Sequence, residues 1–103
     1  VFGCWTSASR KAVLPIFEKE NGMLYYPTFY EGLEQSKNVI YTGAVPNQQL
    51  DDFVPWIISE LGRKKCYMIG SNYIYPKETN REVKALLDKF GGENVGEEIA
   101  PAA

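Results

Sequence analysis

Short apolar runs alternate with stretches of helical periodicity along the whole chain, and this alternation restricts the fold more than any other feature. Val1–Trp5 reads as a short buried strand. Ser9 is a plausible N-cap for a helix over Ser9–Asn21, with Ala12, Val13, Ile16 and Phe17 at helical spacing. Pro15 should distort that helix. Asn21-Gly22 ends it, and the aromatic run from Met23 to Tyr26 and Pro27 reads as a second strand. Phe29 to Lys37 looks like loop, Val39 to Thr42 like a third strand, and Gly43 to Pro46 like a linker.

Asn47 can cap a second helix over Asn47–Leu61, where Leu50, Phe53, Val54, Ile57, Ile58 and Leu61 form a wide apolar stripe. Pro55 interrupts its interior, and Gly62 suits the position just past its end. Cys66–Ile69 is a fourth strand. Pro76 and Lys77 open a third helix over Lys77–Phe90, with Val83, Leu86, Leu87 and Phe90 on one face. Gly91-Gly92 stops it, and Asn94–Ile99 is the last strand. Strands alternating with helices predict an α/β fold whose sheet is mostly parallel.

The function classes narrow by exclusion. With 103 residues, 45% of them apolar, the chain can hold one small core. A net charge of −2 with scattered Lys and Arg gives no basic stripe for nucleic acid. The triplet Arg63, Lys64, Lys65 reads as a solvated turn after a helix stop. No apolar run approaches the ~18 residues of a membrane span. Cys4 and Cys66 lie far apart, without metal-ligand spacing, and read as two free buried thiols.

Histidine is absent, which removes the usual general base, the Ser–His pair and His-based zinc sites. Gly70-Ser71-Asn72-Tyr73 lacks the further glycines of a phosphate-binding turn. Asp51-Asp52 suits the negative charge favoured in a helix's first turn, and Glu97-Glu98 reads as a solvated strand end. No enzyme, cofactor or metal is therefore expected. A binding role is better supported, because ligands of open α/β sheets sit beyond the carboxyl ends of strands. Three such ends are aromatic and polar: Trp5-Thr6-Ser7, Tyr25-Tyr26-Pro27-Thr28 and Ser71-Asn72-Tyr73-Ile74-Tyr75-Pro76. Aromatic walls exclude water and hydroxyl groups fix orientation, a combination suited to a small, neutral, polar ligand.

The stretches "FGCWTSASRKAVLPIFE", "LYYPTFYEGLE", "NVIYTGAVPNQQ" and "GSNYIYPKETN" closely resemble the urea- and short-chain-amide-binding proteins. These are type I periplasmic binding proteins that serve ABC transporters. The stretches are also similar to the amide-sensing regulator of aliphatic amidase expression. Such proteins are much longer, so the resemblance implies an internal segment of a solute-binding protein. It implies two α/β lobes with ligand in an interlobe cleft, residues 1–43 belonging to the first lobe and 44–103 to the second, with the crossover near Thr42 to Pro46. It also implies site residues. Trp5, Thr6 and Ser7 would lie at the first lobe's cleft edge beside Tyr26, Pro27 and Thr28, with Tyr73 and Tyr75 opposite. Ser7 and Thr28 would hydrogen-bond a urea or amide, and Trp5, Tyr26, Tyr73 and Tyr75 would enclose it. Family members often carry Asp where Asn72 stands, which bears on ligand preference.

The implied partners are a small neutral amide or urea and the permease of an ABC transporter. The full-length protein would be a periplasmic or extracellular lipoprotein. Three other readings stay open: a cytoplasmic, amide-responsive regulator or signalling receptor, a small flavodoxin-like enzyme, and a segment without activity of its own. In the last case exposed sheet and helix faces would favour a homodimer or a domain swap.

Overall fold

A computed structural model describes residues 1–101 and places the chain in two compact units, Val1–Val45 and Pro46–Ala103. Each is a small α/β assembly with parallel strands, as the alternation predicts.

In the first unit, α1 (Ser7–Lys19) precedes β1 (Leu24–Tyr26) and β2 (Val39–Tyr41). The two strands pair in parallel, Leu24 with Val39 and Tyr26 with Tyr41. Alternation along β1 buries Leu24 and Tyr26 and leaves Tyr25 outside. Leu24, Tyr26, Tyr30 and Val39 form the core, with Val13, Leu14 and Phe17 of α1 packed against them. The expected strand at Val1–Trp5 is reduced to one bridge, Phe2 to Tyr25. Gly3 N donates to Tyr25 O at 3.3 Å and Tyr25 N to Val1 O at 2.7 Å. Pairing then stops because Cys4 turns to φ 69°, outside the extended region. Val1, Phe2 and Trp5 are exposed rather than buried.

The helix start also differs from expectation. Thr6, not Ser9, is the N-cap of α1. Its Oγ1 accepts from Ser9 N at 3.1 Å, and Ser9 Oγ accepts from Thr6 N at 3.2 Å, a reciprocal capping box. Ser9 is thus the third helical residue. Pro15 does not end the helix. The carbonyl that its missing N–H leaves unpaired belongs to Lys11, an exposed residue, where water can take it.

In the second unit, α2 (Pro46–Ser59) is followed by β3 (Lys65–Ser71), α3 (Ile74–Phe90) and β4 (Glu93–Ala100). β3 and β4 are parallel, with an irregularity between Cys66 and Tyr67: Cys66 pairs with Asn94 but Tyr67 with Gly96, so Val95 is the extra residue. Val54 and Ile58 of α2 meet Leu86 and Leu87 of α3 in the core, with Leu50, Cys66 and Val83 alongside. The helix α2 begins at Pro46, where a missing N–H costs nothing, so Asn47 lies inside it. Pro55 is carried as Pro15 is, since the carbonyl it leaves belongs to exposed Asp51. Gly91 adopts φ 78° and ends α3 as expected. The start of α3 is at Ile74, three residues before the expected Lys77, with Tyr73 as N-cap.

Both cysteines are free, as expected, but each is only partly buried. Among the described residues, no helix is long and apolar enough to cross a membrane, and no cluster of three metal-ligating side chains occurs.

Candidate functional site

In each unit, the aromatic-hydroxyl residues gather where strands end and a helix begins. The carboxyl end of β1 meets the N-terminus of α1. Tyr26 Oη lies 3.4 Å from Trp5 O, and Thr28 Oγ1 lies 3.5 Å from Cys4 O. The structure therefore brings Trp5, Thr6, Ser7, Tyr26 and Thr28 together, with exposed Pro27 between Tyr26 and Thr28. Their surroundings differ. Trp5 is 81% exposed, whereas Tyr26 has no exposed surface and packs in the core. The hydroxyl of Thr6 is engaged by the α1 cap.

Ser7 is anchored more firmly than its neighbours. It is 6% exposed, and its Oγ donates to Glu31 Oε2 at 2.7 Å. Glu31 belongs to a buried ionic cluster. Arg10, three residues along α1 from Ser7, has no exposed surface. Its Nη2 lies 2.5 Å from Glu31 Oε1 and its Nε 2.9 Å from Glu34 Oε2. The guanidinium lies 4.9 Å from the centre of the Tyr26 ring and 5.1 Å from that of Tyr30, so both ring faces share its charge. Tyr41 donates to Glu34 at 2.5 Å and stacks on Tyr30 at 4.5 Å. Burial opposes ionisation of Glu31, but hydrogen bonds from Ser7 and Arg10 prevail and hold its carboxyl below the ordinary value. Burial likewise opposes the charge of Arg10, and the two carboxylates prevail to raise its pKa. The Tyr41 hydroxyl is pushed well above its usual range by burial and by Glu34.

Sequence reasoning missed this cluster. Glu31 and Glu34 lie in the Phe29–Lys37 loop, where no periodicity marks a charged residue as buried. The available signal was Tyr30-Glu31-Gly32-Leu33-Glu34, an aromatic and apolar setting around two acids. An open groove beside it is lined by Tyr30, Leu33, Glu34, Ser36, Val39 and Tyr41, and the carboxylate of Glu34 is already taken by Arg10, Lys11 and Tyr41.

In the second unit, β3 runs into α3 through Asn72 and Tyr73. Asn72 N donates to Ala100 O at 2.8 Å, tying the turn to the end of β4. Tyr73 is extended, half-exposed, and makes no side-chain cap hydrogen bond. Tyr75, in the first turn of α3, has its Oη 3.3 Å from Gln49 Oε1 on α2. Glu97 is not the solvated strand end expected. It lies within β4, where it accepts from Asn80 at 3.1 Å and pairs with Lys84, contacts that lower its pKa. Glu98 is exposed.

Residues 1–102 match the model of the periplasmic binding protein domain. The chain belongs to that family. Its members are solute-binding proteins. Among solved structures, the domain is similar to an ABC-type branched-chain amino acid transporter from Rhodopseudomonas palustris, with a TM-score of 0.59 and 21% identity. The match covers 97% of this chain but only 28% of that one, and at this identity it shows a shared fold.

Proposed function

We propose that the full-length protein carrying this domain is the solute-binding component of an ABC-type transporter, working in the periplasm with a permease, and that its solute is urea or a short-chain aliphatic amide. Membership of the periplasmic binding protein family and a fold shared with a transporter protein support the first part. The division at Val45–Pro46 suits residues 1–43 and 44–103 as contributions to two lobes.

One observation carries the choice of solute. The strand-end residues are uncharged, and the ions beside them in the first unit are paired among themselves, Arg10 with Glu31 and Glu34, and Glu34 also with Lys11. A zwitterionic amino acid needs a counter-charge for both its carboxylate and its ammonium group once water is removed. A neutral amide needs only donors and acceptors. In this reading Ser7 and Thr28 contact the amide, and Trp5, Thr6, Tyr26 and Pro27 shape that side of the site. Tyr26 does so from the core, by holding the carbonyl of Trp5. Tyr73 and Tyr75 contribute aromatic surface from the second unit.

Calorimetry of the full-length protein with urea, acetamide and leucine tests this. Urea or acetamide should saturate the protein while leucine gives no heat. Saturation by leucine alone would overturn the assignment.

A further inference from the structure

We propose that Glu31 fixes the hydroxyl of Ser7 as a hydrogen-bond acceptor, so that this position selects a solute by an N–H group that the solute donates. The inference rests on the amide reading above and adds a polarity to it. A serine hydroxyl has one proton and two lone pairs, and an ionised carboxylate can only accept. At 2.7 Å from Glu31 Oε2, Ser7 Oγ must therefore give its proton to Glu31. It has none left for the carbonyl of a solute. Arg10 Nη1 approaches Ser7 Oγ at 3.5 Å, the long limit of a hydrogen bond, and occupies at most one lone pair. Among the described residues no further donor is seen on the other lone pair, which is assigned to the solute.

The arrangement is held from behind. Arg10 bonds Glu31 Oε1 at 2.5 Å while Ser7 takes Oε2, so each oxygen of the carboxylate has its own partner. Glu34 holds the opposite edge of the guanidinium through Nε at 2.9 Å. Arg10 and Glu31 are both buried, so neither can swing to water and release the serine. Glu31 is thus a positioning residue that acts through Ser7 without touching the solute. Urea and primary amides carry the N–H groups this site asks for; ketones and esters of the same shape do not.

Acetamide and acetone provide the test, because they share a carbonyl and a similar shape and differ in the N–H. In the full-length protein acetamide should bind at least tenfold more tightly than acetone, as expected when a buried acceptor is left unpaired. Ser7→Ala should weaken acetamide and leave acetone unchanged, bringing the ratio to within about threefold of unity. If Ser7 instead donated to the carbonyl, Ser7→Ala would weaken both ligands alike and preserve the ratio, which would overturn the inference. Glu31→Gln lets a side-chain amide donate to Ser7 and frees the hydroxyl proton, so acetone should gain on acetamide. A fold lost in Glu31→Gln leaves Ser7→Ala to decide, since that change removes a single hydroxyl. If neither acetamide nor urea binds the unaltered protein, the amide reading and the inference fall together. If acetamide binds and Ser7→Ala leaves the ratio intact, the inference alone falls.

Discussion

Replacing Arg10 by methionine removes the central ion of the first unit and keeps much of its volume. The two carboxylates it leaves are not equally affected. Glu34 keeps Tyr41, at 2.5 Å, and Lys11, at 3.6 Å. Glu31, whose side chain is 2% exposed, keeps Ser7 and a backbone N–H but no cation. The cost therefore falls on Glu31, a buried charge without a counter-ion, and removing one partner of such a pair typically costs about 3–5 kcal/mol. Loss of the guanidinium from the Tyr26 and Tyr30 rings favours the upper part of that range, since a desolvated contact of this kind contributes about 1–2 kcal/mol. Arg10→Met should thus lower unfolding free energy by about 3–5 kcal/mol at pH 7. Guanidinium chloride is the suitable denaturant, because urea is itself the proposed solute.

The pH dependence carries the sharper test. In the unaltered protein the pKa of Glu31 is held below its unfolded value. Its contribution to stability is then present above the unfolded pKa of about 4.3 and is lost as pH falls through the lower folded value. Without Arg10, burial is opposed only by Ser7 and a backbone N–H, so the folded pKa of Glu31 should rise toward or above the unfolded one. The variant is then least disadvantaged in acid and loses ground as pH rises through that interval. The gap between the two proteins should be smaller at pH 4 than at pH 7. A gap that stayed constant over this range, or a cost under about 1 kcal/mol at pH 7, would refute the account of Glu31 as the residue left unpaired.

Two further substitutions probe each unit separately. Gly43→Ala drives a Cβ into Thr28 O and Phe29 N, backbone atoms that cannot step aside, so unfolding should be easier by about 1–3 kcal/mol or more and Thr28 should shift; a neutral result in a denaturant titration would refute the close approach. Leu87→Ala empties a site that is 1% exposed between α2 and α3 and should cost about 2–5 kcal/mol in the same titration, with no direct effect on Ser7.

The regular elements were legible because apolar spacing and stop signals agree. Leu50, Val54 and Ile58 announce α2, although the helix stops at Ser59, short of the expected Leu61, and Gly91 ends α3 where a left-handed residue is required. Element starts were harder to read. Thr6 and Ser9 are both good caps, and only the reciprocal bond between them shows which residue is outside the helix. The positive φ of Cys4, which cuts short the expected first strand, has no counterpart in its side-chain chemistry. The candidate site was half legible. Its hydroxyl and aromatic groups stand at strand ends, and the resemblance named them. The support beneath Ser7 was not legible, because Arg10 and Glu31 are 21 residues apart and each reads alone as a surface charge.

The exposed faces of the two sheets explain why function has to be tested in the full-length protein. Parallel strands are normally covered on both sides. Here Met68 faces the helices of its unit while Tyr67 and Ile69, on the alternate side of β3, are exposed together with Val95. In the first unit Leu24 and Tyr26 face α1, and Tyr25 lies on the other side with Phe2 stacked on it at 4.7 Å beside exposed Ile40. Each sheet is thus half of a covered layer. In the proposed reading the remaining elements of the solute-binding protein complete those layers and stiffen the strand ends that carry Ser7, Thr28 and Tyr73. The Arg10–Glu31 pair needs none of that help, because every bond in it is made within the first unit. The polarity of Ser7 is therefore built in locally, whereas the enclosure of the solute depends on the rest of the protein.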